Sequence, residues 1–397
     1  MNRDRFPGAA GDWARLDGPA GTQMVDSAIE AMDGWMRSGR GANHGGAFAA
    51  AHATDECVKQ ARAAVGRLLG AEPAGVAFGP SMTAMTMRLS AAVGRTLVPG
   101  DEVVVTRLDH DANVRPWVIA AERAGATVRW AEPDRDTLAL PAAAVESVLS
   151  DRTRWVAVTA ASNASGSVPE LDAIIAAVHA AGARISVDAV AAAPHRALDL
   201  AALGADTLAC SSYKWYGPHI GMLCAAPELL AELVPDKLEP APDEPPDRFE
   251  LGTLPFESLA GVTAAAEYML EVGFDAIRAH EEELLGIAAA GLAEIAGVTL
   301  YGDPPDRVPT LMFNVAGHTS LEVATALAER EIAVWHGNYY ASELERFLGL
   351  DPNGAVRAGF VQYNDAEDAR RLVEAVREVA SGASVTPVAS ASHEAPA

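Results

Sequence analysis

Between residues 50 and 230, apolar runs rich in β-branched residues alternate with stretches of helical period. "DEVVVTR" (101–107) predicts a buried strand, and "NVRPWVIAAERAG" (113–125) predicts a helix closed by its glycine. "ATVRWAE" (126–132) and "RWVAVTAAS" (154–162) predict two more strands. "ELDAIIAAVHAAG" (170–182) predicts a second glycine-closed helix, followed by strands at "ARISVDAV" (183–190) and "ADTLACSS" (205–212). The strand runs are almost continuously apolar, the pattern of a parallel sheet with helices over both faces. A βαβ series of this kind gathers ligands at the carboxyl ends of its strands.

Past residue 240 the pattern changes. "PAPDEPPD" (240–247) predicts an exposed loop, and helical period returns at 258–272 and 275–296. "TSLEVATALAER" (319–330) opens with a capping box, Thr319 and Glu322, and "EDARRLVEAVREVA" (367–380) predicts a closing helix. The expected organisation is a segment 1–20 packing on a smaller domain, a large α/β domain over 21–256 and a smaller α+β domain over 257–385. A small, polar, disordered tail is expected over 386–397.

Composition narrows the function. Of 397 residues, 50% are hydrophobic, enough for a large core or two domains. With 54 acidic against 30 basic residues the formal charge is −24, so nucleic acid and anionic membrane are poor partners. No window of about 20 uninterrupted apolar residues occurs, so no membrane span is expected. "MNRDRFPGAAGDW" lacks an apolar signal core. The three cysteines, Cys57, Cys210 and Cys224, suit neither a disulfide framework nor a zinc site, so a cytoplasmic enzyme without a metal is expected.

Candidate chemistry collects around "CSSYKWYGPHIG" (210–221). An ammonium is costly to bury, yet Lys214 stands at the end of a predicted core strand. Asp188 ends "RISVD", Asn163 ends "AVTAASN", and His110 lies just past "VVVTRLD". A lysine, an aspartate, a flat ring and a phosphate cradle are what pyridoxal 5'-phosphate requires. The lysine forms a Schiff base with the aldehyde, the aspartate pairs with the protonated pyridine nitrogen, and the flat side chain stacks on the ring. Hydroxyls and N–H groups at a helix N-terminus hold the phosphate.

These motifs, in this order, resemble the fold-type I pyridoxal-phosphate enzymes of aminotransferase class V, which include cysteine desulfurases, selenocysteine lyase and isopenicillin N epimerase. The resemblance covers the whole chain except its tail. "CSSYKWYGPHIG" is similar to the family's Ser-x-His-Lys-x-x-Gly-Pro, which implies that Lys214 is the Schiff-base lysine, that Ser211 binds phosphate and that Tyr213 stands beside the cofactor. "SVDAV" implies that Asp188 faces the pyridine nitrogen, and "LDHDANVRPW" that His110 stacks on the ring. "FGPSMTAMT" stands where the family has Gly-Thr-Thr, which implies phosphate contacts from Ser81, Thr83 and the N–H of Met82. "TAASNASGSVPE" sets Asn163 near cofactor and substrate carboxylate, and "AVRAGFVQYN" implies that Arg357 grips that carboxylate. "RFELGTLPF" implies that Thr253 reaches the phosphate of a neighbouring subunit, hence a homodimer with shared active sites.

Three departures shape the expected reaction. Tyr340, in "VWHGNYYASE", stands where desulfurases carry their nucleophilic cysteine, so it is read as a substrate contact. Ala191 stands where relatives place a Gln or His, and Tyr213 replaces the family's His. A desulfurase-like frame without its cysteine implies a carbon–sulfur lyase acting on a cysteine S-conjugate in specialised, antibiotic-type metabolism, as enzymes of this type do in lincosamide pathways. The alternatives are decarboxylation-dependent oxidative deamination of an S-alkylcysteine, epimerisation as in isopenicillin N epimerase, and a cofactor-free scaffold with a relic fold. His44 and His52 are read as loop residues near the substrate entrance, His195 and His219 as structural.

Overall fold

The computed structural model describes residues 2–382, so the expected tail at 386–397 lies outside the described residues. Near the N-terminus a two-residue strand, β1 (Ala14–Arg15), precedes helices α1 (Asp26–Arg37) and α2 (Ala49–Leu69). The central sheet then builds from β2 (Val76–Gly79), β3 (Glu102–Thr106), β4 (Thr127–Ala131), β5 (Thr153–Thr159), β6 (Arg184–Asp188), β7 (Thr207–Ser211) and β8 (Gly221–Ala225). Its seven strands lie in the order β2-β8-β7-β6-β5-β3-β4. The five strands from β7 across to β4 are mutually parallel. Strand β8 runs antiparallel to both β7 and β2.

This is the mainly parallel sheet that the apolar runs predict, with helices over it. Between β2 and β3 runs α3 (Met82–Gly94), and between β3 and β4 runs α4 (Arg115–Ala124). The βαβ crossovers feed each parallel strand in the same direction. The carboxyl ends Thr106, Thr159, Asp188 and Ser211 therefore share one edge. Strand β3, with five consecutive buried residues, shows why its sequence is an unbroken apolar run.

The C-terminal part carries a second sheet of four antiparallel strands. These are β9 (Val298–Leu300), β10 (Thr310–Val315), β12 (Trp335–Gly337) and β13 (Ala355–Gly359), in the order β12-β13-β10-β9. Helices Phe274–Ala293, Ser320–Ala328 and Ala366–Ala380 cover it, and the capping box of Thr319 and Glu322 is formed. The N-terminal segment returns to this region. Strand β1 pairs in parallel with β11 (Ile332–Ala333), and Asp17 bridges to Gly359. Ala14 and Leu16 are buried in the same apolar cluster as Phe313, Val356 and Phe360.

Candidate active site

Where β5, β6 and β7 end, the backbone opens into a cavity of about 900 Å³. Ser81, Met82, Thr83, His110, Asn163, Asp188, Ser211, Tyr213, Lys214, Tyr340 and Arg357 all line it. Thr253 does not; it sits exposed on the segment between Glu250 and Phe256. Side chains separated by up to 276 positions thus meet in one place, because the parallel sheet brings successive strand ends together and β13 closes over them.

Lys214 ends a short 3-10 turn, Ser212–Lys214, directly after β7. It is 9% exposed, and among the described residues no carboxylate pairs with it. Its Nζ donates to the carbonyls of Pro19 and, at 3.0 Å, Ala20, and lies 5.1 Å from the Tyr213 ring centroid. Burial, with help from the nearby Arg357 charge, pulls this amine down to about 7 against the opposing pull of Asp188. Asp188 is buried, and Oδ1 accepts one bond, from the Val190 N–H at 2.9 Å. Burial pushes its carboxyl up to about 6, with the Val190 N–H and the Lys214 charge opposing. His110 accepts the Ala112 N–H at Nδ1 (3.0 Å), so its second nitrogen carries the proton of a neutral ring. Burial, then Lys214 and Arg357, lower it to about 4. Tyr340 stacks on this ring, with centroids 5.4 Å apart at 26°.

Arg357, in β13, is 3% exposed. One nitrogen donates to the Asn163 carbonyl at 2.8 Å, and the guanidinium lies 4.5 Å over the Tyr339 ring. Its Nε and the side-chain oxygen of Asn163 are buried with no hydrogen-bond partner among the described residues. Burial lowers Arg357 to about 10. A buried guanidinium without a carboxylate and a buried amide oxygen without a donor are both costly unless a ligand completes them.

The start of α3 forms the other wall. Ser81 is its N-cap and accepts the Ala84 N–H at 3.1 Å. The Met82 N–H donates to Ser211 Oγ at 2.9 Å, so it is engaged by a hydroxyl that was itself expected to bind phosphate. The Thr83 N–H lies in the first turn, where no intrahelical acceptor exists. Behind this turn lies Gly221. A β-carbon there would stand 2.0 Å from the Ser81 carbonyl carbon, so only glycine lets β8 approach.

These features suit pyridoxal 5'-phosphate. A helix N-terminus with two hydroxyls faces the cavity for the phosphate. An amine free near neutral pH can form the imine, and an aspartate that accepts a single hydrogen bond has room for a pyridinium N–H. Residues that the sequence did not single out also line the cavity: Pro19, Ala20, Thr159, Trp335, His336 and Tyr339. The N-terminal pair gave no signal, since its contact with Lys214 spans 194 and 195 positions. His44 and His52 are exposed and do not line the cavity. His195 is buried against Glu281 at 2.8 Å, and His219 stacks on Tyr213 at 4.8 Å and 12°.

None of the three cysteines lines the cavity, and all are buried. Burial raises Cys57 to about 11 and Cys210 to about 12, and raises Cys224 as well. No ready thiolate is available among them.

Comparison with known proteins places this geometry in context. Residues 14–372 match the model of the family described as aminotransferase class-V. The chain is 34% identical over 381 residues to a probable cysteine desulfurase 1 of Mycobacterium leprae, covering 92% of this chain. It spans 62% of that relative's length, and 55% of the length of a probable cysteine desulfurase of Mycolicibacterium paratuberculosis. The cysteine desulfurase of Dickeya dadantii is 32% identical, with 92% of each chain covered. Among solved structures, the apo cysteine desulfurase of Thermococcus onnurineus superposes with a TM-score of 0.90 at 27% identity, covering 96% of this chain and 97% of that one. The cysteine desulfurase CsdA of Escherichia coli gives 0.85 at 28%, covering 94% and 96%.

Proposed function

The chain belongs to the aminotransferase class-V family of pyridoxal 5'-phosphate enzymes, and from that premise we propose that it is a carbon–sulfur lyase that cleaves a cysteine S-conjugate. One observation carries the reading. The cavity holds a buried Lys214, Asp188 and Arg357 but no cysteine to receive a sulfur atom. A desulfurase-like frame without an acceptor thiol can still expel a thiol from the β-carbon. The bound cofactor supplies an aldehyde for imine formation and a pyridinium ring that accepts the electron pair released at the α-carbon.

The chain's own residues do the rest. Arg357 takes the substrate α-carboxylate in a two-pronged bond that uses its unpaired Nε, and Asn163 supports the same end. Asp188 keeps the ring nitrogen protonated. His110 holds the ring by stacking, Tyr213 stands beside the cofactor, and Ser81, Thr83 and Ser211 hold the phosphate end, with the Met82 N–H bonded to Ser211 Oγ behind them. The Lys214 amine removes the α-proton, and the ammonium so formed returns to the carbonyls of Pro19 and Ala20. The Cβ–S bond breaks and the thiolate leaves. After water adds and ammonia departs, one conjugate and one water have become one thiol, one pyruvate and one ammonium. Tyr340, at the mouth, contacts the sulfur substituent, and Ala191 leaves room for it. Conjugates of this kind arise in specialised, antibiotic-type metabolism. A homodimer in the cytoplasm, with Thr253 reaching the partner's phosphate site, completes the reading.

The test is product analysis with S-alkylcysteines and S-benzylcysteine as substrates. Thiol and pyruvate in equal amounts are the expected outcome. Carbon dioxide with an aldehyde, or an epimerised amino acid without cleavage, would replace this reading with decarboxylation or epimerisation.

A further inference from the structure

Asp109 precedes His110 and is 1% exposed, yet it has no part in the chemistry above. It sits behind the cavity wall, where three strand ends converge. Thr106 ends β3, and its hydroxyl lies in hydrogen-bond contact with Asp109 Oδ2. Asn113 Nδ2 donates to Oδ1 at 2.7 Å from the turn that follows His110. The backbone of Thr159, which ends β5, lies beside the carboxyl, and Asp188, at the end of β6, is the charged neighbour. Among the described residues no lysine, arginine or histidine pairs with Asp109. The Thr106 hydroxyl accepts the Leu108 N–H at 3.1 Å and keeps a second lone pair for the Asp109 carboxyl.

We propose that Asp109 is a positioning residue held as a neutral acid. Its O–H donates to Thr106 while its carbonyl oxygen accepts from Asn113. In this state it locks the His110 turn to the ends of β3 and β5 and leaves Asp188 as the only anion facing the cofactor nitrogen. A carboxylate buried without a cation is expensive, and a second one beside Asp188 would add like-charge repulsion. Burial, the dominant influence, raises this carboxyl to about 8, with the Thr106 and Asn113 hydrogen bonds opposing. The inference rests on the pyridoxal-phosphate reading for its consequence but not for the protonation state itself.

Two variants separate the possibilities. Asp109→Asn reproduces the donor and acceptor pattern of the neutral acid without a charge, whereas Asp109→Ala removes both bonds. Infrared difference spectra of the cofactor-free protein, wild type minus Asp109→Asn, should show the carbonyl stretch of a protonated carboxyl at pH 7. Loaded with cofactor, Asp109→Asn should keep the wild-type absorbance spectrum and its pH midpoint to within about 0.3 units. Asp109→Ala should shift that spectrum and lower cofactor affinity about tenfold. A carboxylate band in place of the acid band, or an Asp109→Asn variant as perturbed as Asp109→Ala, overturns the neutral acid. An unperturbed Asp109→Ala overturns the positioning role. A wild-type protein that never acquires a cofactor band overturns the functional reading instead, and leaves the infrared test standing.

Discussion

Lys214 carries two opposed demands, and its surroundings reconcile them. It must be a neutral amine to attack an aldehyde, yet it sits among buried groups that a charge would strain. Burial and the Arg357 charge lower it to about 7. The sign follows: below that pH the ammonium predominates and cannot attack, and above it the free amine does. Imine formation by the cofactor-free protein, trapped with borohydride from about pH 5.5 to about pH 11, should rise through a midpoint near 7. A midpoint near that of an exposed lysine, about 10.4, would show that the burial seen here does not govern the amine. Lys214→Ala should abolish the cofactor absorbance band altogether. Arg357 makes a complementary case, since its unpaired Nε suits a planar carboxylate that a lysine cannot clamp. Arg357→Lys should lower kcat/KM for the amino acid at least tenfold, about 1.4 kcal/mol, with cofactor affinity unchanged. Equal kcat/KM in that variant would remove Arg357 from substrate binding.

At the scale of elements, the phosphate wall depends on how closely β8 backs the first turn of α3. Gly221→Ala would set a β-carbon against the Ser81 carbonyl and push the turn off its position. Cofactor affinity, measured by fluorescence titration, should fall about tenfold or more. Gly34→Ala in α1 meets nothing within 4 Å. It should leave that affinity alone and add up to about 1 kcal/mol of helix stability; equal losses in both variants would deny the wall its specific role. The same region shows what was legible beforehand. Strands β3 and β7 were readable because both their faces are buried, which leaves "VVV" and "LAC" as apolar runs at their centres. The carboxyl ends of the parallel strands then pointed to Asp188, Asn163, His110 and Lys214, and the family resemblance added Ser211. Strand β8 was visible only as an apolar run after a Gly-Pro turn, because nothing local encodes its antiparallel pairing. Tyr339 was passed over in favour of Tyr340, although Tyr339 is buried and bonded to the Ala355 carbonyl at 2.6 Å while Tyr340 is 69% exposed. Two adjacent tyrosines in a loop give no alternation to tell them apart, and both adopt the left-handed backbone that conceals which one turns inward.

At the scale of the whole molecule, the site draws on segments far apart in the chain. The N-terminal segment joins the two sheets. It pairs at Ala14–Arg15 with β11, then meets Lys214 through Pro19 and Ala20, and Thr22 is bonded to Tyr213 and Tyr216. Thr253 remains outside this assembly, exposed at the end of a segment that Arg62 anchors through Glu250 at 2.9 Å and through Asp247. The phosphate role proposed for Thr253 requires a second copy of the chain. If two protomers share their sites, a Lys214→Ala chain and a Thr253→Asp chain are each inactive alone for different reasons. In a mixed dimer, one site combines Lys214 from the second chain with Thr253 from the first, and that site is whole. Random reassortment makes half of all dimers mixed with one intact site each, so an equal mixture should recover roughly a quarter of wild-type activity. Size-exclusion chromatography of the same mixture should show a dimer throughout. An inactive mixture that still reassorts would mean that each protomer completes its own phosphate site, and that Thr253 serves only the chain that carries it.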